Sequence, residues 1–257
     1  MARHDRTSIG GPKGAFQSTH WSLIVRARTD DESQRREVMG EILGRYWKPV
    51  YCYLRRKGYN NDEAQDLVQG FFEEIVLGRN LVEMADRTKG RFRALLLLAL
   101  DRYTTSVRRA QTARKRAPGS GLVSLDASEL APACEPYSQA TPEQAFTYTW
   151  AAALLDRVLA DCERECRAAG QAVHWEVFRD RVIGPIRDDA EAPSLAALCA
   201  AHGIPNAVVA SNMIVTVKRR FQAALARHVR HMVHSQAEVK AEIQDLMAIL
   251  SGGGAGS

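Results

Sequence analysis

Residues 62–75, DEAQDLVQGFFEEI, place the tightest constraint on how this chain can fold. Ala64, Leu67, Val68, Phe71, Phe72 and Ile75 recur at helical spacing, while Asp66, Gln69, Glu73 and Glu74 fall on the opposite side. That pattern predicts an amphipathic helix with an acidic outer face over an apolar core. After a loop, residues 89–116 (KGRFRALLLLALDRYTTSVRRAQTARKR) have an apolar centre from Leu95 to Leu100 and end in Arg108, Arg109, Arg114, Lys115 and Arg116. The neighbouring element therefore presents the opposite charge. An acidic helix suits a basic protein surface, and a basic helix suits a phosphate backbone.

Charge clustering matters more here than net charge. The formal net charge of +5 and pI near 9.0 are mild, but the cations gather at Arg108 to Arg116 and at Lys218 to Arg230. Grouped cations favour a nucleic-acid partner over simple solubility. No segment offers the roughly 20 uninterrupted apolar residues of a membrane helix, and MARHDRTSIGGPKG lacks the apolar middle of a signal peptide, so a cytoplasmic protein with no membrane partner is expected. The 5 cysteines, Cys52, Cys134, Cys162, Cys166 and Cys199, are an odd set without a CxxC pair, which argues against a disulfide framework and against a zinc ribbon. Cys162 and Cys166, four apart on a predicted helix, could form a disulfide or half a metal site but read better as small buried or rim thiols, and no chemistry is assigned to the set. With no phosphate loop, nucleophile elbow or paired metal-ligand motif, no catalytic residue, metal or cofactor is expected, and the chain does not read as an enzyme.

Strand periodicity is absent throughout, so the expected fold class is all-α. Residues 1–15 read as a disordered arm, and helices are expected at about 33–57, 62–77 and 91–114, within a first domain of residues 16–116. Residues 117–140 (from APGSGLVSLDASEL onward) are dense in Pro, Gly, Ser and Ala and read as an extended linker. A second domain, 141–234, opens at Thr141-Pro142-Glu143 with a cap residue, proline at the first helical position and an acid after it. Another helix is expected over 173–182, with Gly184, Pro185 and DDAEAP breaking the chain. Residues 235–257 read as a last helix, packed on the second domain, followed by a flexible tail. His228, His231 and His234 step around the helix axis and read as solvated rather than as metal ligands.

Residues 194–201, the turn His202-Gly203-Ile204-Pro205-Asn206 and the helix from Ala207 to His228 have the layout of a helix-turn-helix. Gly203 suits the positive backbone angle of the turn, and Leu198, Ile204 and Val209 are expected inside. Asn206, Ala207, Ala210, Ser211 and Asn212 are expected to face outward, with Lys218, Arg219 and Arg220 on phosphate.

The acidic and basic helices together resemble the second region of bacterial sigma factors of the extracytoplasmic-function (ECF) class, a sigma-70-like family. THWSLI (19–24), YWKPVYCYLRRKGY (46–59), VSLD (123–126) and TPEQAFTYTWAAALLDRVL (141–159) are similar to that family too, in order and spacing over most of the chain. The resemblance implies two helical domains, a sigma region 2-like bundle and a sigma region 4-like helix-turn-helix, joined by the extended linker. It implies that Asp62, Gln65, Asp66, Gln69 and Glu73 bind the clamp of core RNA polymerase. Arg79, Asn80, Lys89, Arg91, Arg93, Arg108, Arg109 and Arg114 would hold double-stranded and locally melted promoter DNA, and Asn206, Ser211, Asn212, Lys218, Arg219 and Arg220 the upstream duplex. The expected function is a sigma factor that directs polymerase to promoters and helps open them. An anti-sigma or recruiting protein is a further partner that the resemblance leaves open. The chain departs from the family at Ala207, Val208, Ala210 and Ile214, which offer few groups to base edges and suit a protein contact as well. The alternative reading is a helix-turn-helix regulator that does not bind polymerase.

Overall fold

The computed structural model describes residues 24, 26–28, 31–77, 81–86, 92–115, 140–230, 232–233 and 236–252. Every regular element among them is helical, and no strand occurs. In chain order they are α1 (Glu32–Arg56), α2 (Asn61–Phe71) running into a π-helical turn (Phe72–Leu77), α3 (Leu81–Met84), α4 (Phe92–Lys115), α5 (Pro142–Ala168) and α6 (Ala172–Phe178). A second π-helical turn (Arg179–Ile183) leads to α7 (Gly184–Asp188), α8 (Leu195–His202), α9 (Ala207–Arg230) and α10 (Gln236–Gly252). The expected N-terminal arm and nearly all of the expected linker lie outside the described residues. Two compact units result, one of Met1–Ala153 with Val229–Ser257, the other Leu154–His228. No single helix is long and apolar enough to cross a membrane, among the described residues.

Local chemistry starts the helices where it satisfies orphan backbone donors. Asp31 Oδ1 accepts from the amides of Ser33 and Gln34, which opens α1. Asn60 and Glu63 form a reciprocal capping box at α2, the side chain of each accepting from the backbone N–H of the other at 2.9 and 3.0 Å. Thr141 and Gln144 make the same exchange at α5, with Pro142 in the first helical position. Of the break expected at Gly184, Pro185 and DDAEAP, the last part stands, residues 189–194 being non-helical, while Gly184 and Pro185 are helical. Pro185 sits in the first turn of α7, where a missing N–H costs nothing, and the helix ends at Asp189, whose φ of 47° is left-handed.

In the first unit the core is laid down by one stripe per helix. Val38, Ile42, Tyr46, Val50 and Leu54 of α1 meet Ala64, Val68 and Phe71 of α2, Phe92, Leu96 and Leu100 of α4, and Phe146 and Trp150 of α5, all buried. Tyr46 stacks on Phe146 at 6.4 Å and meets Phe92 edge-on at 5.7 Å, so three helices share one aromatic contact. Burying each large apolar side chain stabilises by about 1.5–3 kcal/mol. The last helix belongs here, not on the second domain as its sequence position suggests: Val239, Glu242 and Leu246 of α10 are buried, and Glu242 Oε1 lies 3.7 Å from Arg93 Nη1. Arg93 also stands 4.2 Å above the Trp150 ring.

The second unit packs around two thiols. Cys162 and Cys166 of α5 are fully buried against Trp175, Phe178 and Val217, and burial pushes the Cys162 thiol up to about 12. Both are free and act as small apolar groups. Cys52 of the first unit, assigned no chemistry from sequence, is disulfide-bonded.

A Cβ on Gly70 of α2 would overlap the Tyr103 hydroxyl and touch Cζ at 3.6 Å. Gly70→Ala should lose about 1–3 kcal/mol to overpacking against about 1 kcal/mol of helix propensity gained, and Tyr103→Phe in the same chain should recover most of the deficit in urea unfolding. Glu242→Ala should cost about 3–5 kcal/mol by stranding the Arg93 charge, whereas Arg93→Met with Glu242→Leu should unfold near the parent midpoint.

Candidate functional site

The first unit places the expected acidic residues on one stripe. Asp62, Gln65, Asp66, Gln69 and Glu73 recur every three or four residues along α2 and its π-helical continuation, opposite the buried Ala64, Leu67, Val68, Phe71 and Phe72. Asp66, Gln69 and Glu73 are exposed, and Asp62 and Gln65 half-buried. Short bonds order the stripe: Gln65 Nε2 donates to Asn61 Oδ1 (3.3 Å), and Gln69 Nε2 donates to Glu73 Oε1 (2.9 Å). Asn61 Oδ1 also accepts from the buried Tyr51 hydroxyl at 2.5 Å, which fixes the start of the stripe to α1.

The basic residues divide. Arg108 and Arg109 are exposed on the last turns of α4, where cations also suit the helix C-terminal dipole. Arg114 lies on α4, with its side chain outside the described residues, as are Arg79, Asn80, Lys89 and Arg91 entirely. Arg93 is a correction. Expected on DNA, it is 2% exposed, because position 93 falls on the core face of α4 and Glu242 and Trp150 receive its charge. Burial lowers its pKa, and Glu242 opposes the shift.

Between the first π-helical turn, α3 and α4 lies a groove of about 530 Å³, lined by Ile75, Leu81, Met84, Leu98 and Val107, with Glu74 and Arg102 as its charged members. Sequence reasoning missed what secures one wall. The Arg28 guanidinium donates to the carbonyls of Val82 (3.1 Å), Glu83 (3.3 Å) and Ala85, closing off the C-terminal end of α3. Nothing in the local pattern marks that arginine, since its acceptors are backbone atoms far along the chain.

In the second unit α8 and α9 meet at 90° across a turn in which Gly203 adopts φ 64°, the geometry of a helix-turn-helix. Leu198, Ile204 and Ala210 pack with Val177 of α6, and Leu195, Cys199, Val209, Met213 and Ile214 close around them. Ser194 caps α8 through the Ala197 amide. Asn206 caps α9, its Oδ1 accepting from Val208 and Val209 at 3.1 Å each, so the residue expected on a base is committed to the turn.

That cap sets the rotational phase of α9: Asn206, Ala207, Ser211 and Asn212 are exposed as expected, and Ala210 is the correction. Ala210 is fully buried and Ile214 packs inward, while Val208 (69% exposed), Ser211, Asn212 and Val215 (42%) face out. Lys218 and Arg219 are exposed as expected. Arg220, expected on phosphate, turns inward: Nη1 donates to the Glu165 carbonyl (3.0 Å) and Nη2 to Gln171 Oε1 (2.7 Å), tying α9 to the end of α5. His228, read as solvated, pairs with Asp161 at 2.7 Å.

Comparison with protein-family models, with curated proteins and with solved structures finds no match to the chain.

The C-terminus of α8 is held to the second π-helical turn by a hydrogen bond between side chains. His202 Nε2 lies 3.0 Å from Asp180 Oδ2, and Arg179 Nε donates to Asp180 Oδ1 at 2.9 Å. Burial pushes the Asp180 carboxyl up, but these hydrogen bonds and the Arg179 charge hold it below the ordinary aspartate value. A depressed folded-state pKa means a contribution complete above the unfolded value and lost as pH falls through the folded one. Thermal midpoints taken from about pH 5 down to about pH 2 should therefore fall less steeply in Asp180→Asn than in the parent.

Proposed function

We propose that the chain is a sigma-type initiation subunit that binds core RNA polymerase and promoter DNA. One observation carries the reading: the exposed stripe of Asp66, Gln69 and Glu73, continued by Asp62 and Gln65, stands on a helix whose other face is core, and the same chain holds a 90° helix-turn-helix in a separate unit. An acidic stripe on a rigid helix is an electrostatic match for a basic clamp surface, and hydrogen bonds already order Gln65, Gln69 and Glu73 along it.

In this reading no catalytic group is required. The chain contributes differential binding: an unpaired base enters the apolar groove beside α3, and the strand is held by Arg102, Arg108 and Arg109 together with the expected cations of residues 79–91. Arg93 has no place on the strand and instead fixes α4 from within. The helix-turn-helix lies on upstream duplex through Lys218 and Arg219. Control by an anti-sigma or recruiting protein is compatible with this arrangement. A helix-turn-helix regulator without polymerase contact is the competing reading, and the acidic stripe separates the two.

Asp66→Lys with Glu73→Lys tests it, since both side chains are exposed and the exchange leaves the core of α2 intact. Retention of the parent chain on immobilised core RNA polymerase should drop by roughly ten- to a hundredfold in the variant, most strongly at low salt, with an unchanged melting midpoint. Equal retention of both forms, or of neither, would count against the proposal.

A further inference from the structure

The outer face of α9 carries base-reading chemistry of one kind only. Val208, Asn212, Val215 and Arg219 recur at intervals of four, three and four, so they form a single line along the helix, with Ser211 and Lys218 beside it, and all six are exposed. From Val208 to Val215 the helix rises about 10 Å, roughly the span of three base steps. Between Asn206 and Val217 there is no Arg, Lys, Gln, His, Asp or Glu. The side chains that grip guanine O6 and N7, or accept from cytosine N4, are therefore missing from the two turns that a recognition helix places in the major groove. What remains is one amide, one hydroxyl and two isopropyl groups. An amide matches the adjacent acceptor and donor of adenine N7 and N6, and an isopropyl group packs against the C5 methyl of thymine.

We infer that α9 is a reader of A·T base pairs: Asn212 takes an adenine edge, Val208 and Val215 take thymine methyl groups, and Lys218 and Arg219 set the register on phosphate. The inference rests on the proposal that this unit binds duplex DNA and names the sequence class it takes. Charge complementarity favours DNA over a protein as the occupant. α9 has not one acid across its 24 residues, and Lys218, Arg219 and Arg230 are exposed cations, while Arg220 and Arg227 are engaged with α5 and its end. The apolar line is also too thin for a protein dock, since Ser211 and Asn212 interrupt two valines and no aromatic or leucine side chain joins them. Capping by Asn206 makes the readout rigid, because it locks the phase that turns Val208 outward and Ala210 inward.

The test is selection from a random duplex library by the full chain, alone and with core RNA polymerase, at fixed low salt. Three or four adjacent A·T positions should be enriched. Replacing thymine by deoxyuracil at those positions removes only the methyl groups and should weaken binding by roughly three- to tenfold. Asn212→Ala should lose about tenfold of the preference for adenine at one position and leave the others unchanged, whereas Lys218→Ala should weaken every duplex alike and lower the salt slope by about one. Val208→Arg should bring in guanine at the first position. Enrichment of G·C, or indifference to deoxyuracil, overturns the inference while polymerase binding stands untouched. Retention on polymerase that Val208→Lys abolishes, with no duplex bound under either condition, overturns it in favour of a protein dock. A·T selection by a chain that polymerase does not retain upholds the inference and removes the sigma proposal.

Discussion

A buried charge organises the first unit. Arg93 sits where an aliphatic residue would be the cheaper choice, and its guanidinium is stable there because Glu242 of α10 and the face of Trp150 of α5 replace the water it has lost. Three helices far apart in sequence therefore converge on one side chain. With Arg93 inside, the rotation of α4 is set. Phe92, Leu96 and Leu100 follow it into the core, and Arg102, Arg108 and Arg109 are left on the outer face. The same rotation brings Tyr103 against Gly70, the close approach through which α4 supports the acidic helix. An exposed acidic stripe and a basic face are thus both consequences of how one helix is turned.

The second unit obtains its precision differently, from backbone geometry. Gly203 in the left-handed region allows the 90° turn, and Asn206 then terminates the turn by capping the next helix. The phase of α9 follows, so small Ala210 allows close approach to Leu198 and Ile204 while Val208 and Val215 remain outside. Arg220 anchors the middle of the same helix to the end of α5. α9 therefore presents its outer face in one fixed orientation.

Legibility in the sequence tracked the range of the interactions involved. The amphipathic helices, the Thr141-Pro142 start and the turn at Gly203 could be read directly, because periodicity, caps and left-handed glycines act within a few residues. The acidic stripe was read correctly as a face for the same reason. Arg93 was misassigned because its partners lie on distant helices, and a cation at a core position looks like any surface arginine until Glu242 is placed beside it. Arg220 and Arg28 escaped for a related reason: their acceptors are mostly backbone carbonyls, which leave no mark in a sequence. The outer face of α9 was legible at Asn206, Ala207, Ser211 and Asn212 but not at Ala210, which is small enough to pass for either side and is buried once Asn206 caps the helix. Neither π-helical turn has a compositional signal, yet the first carries Glu73 onto the stripe of α2.

Reconstituted transcription tests the central claim most directly: core RNA polymerase with and without this chain, on a supercoiled library of promoter fragments, with start sites mapped and unpaired thymines probed chemically. A sigma-type subunit should produce discrete start sites, each with a reactive bubble that core polymerase alone does not form. Transcripts and reactivity identical to those of core polymerase alone, from a chain that is folded and still binds duplex DNA, would contradict the account and leave a DNA-binding regulator in its place.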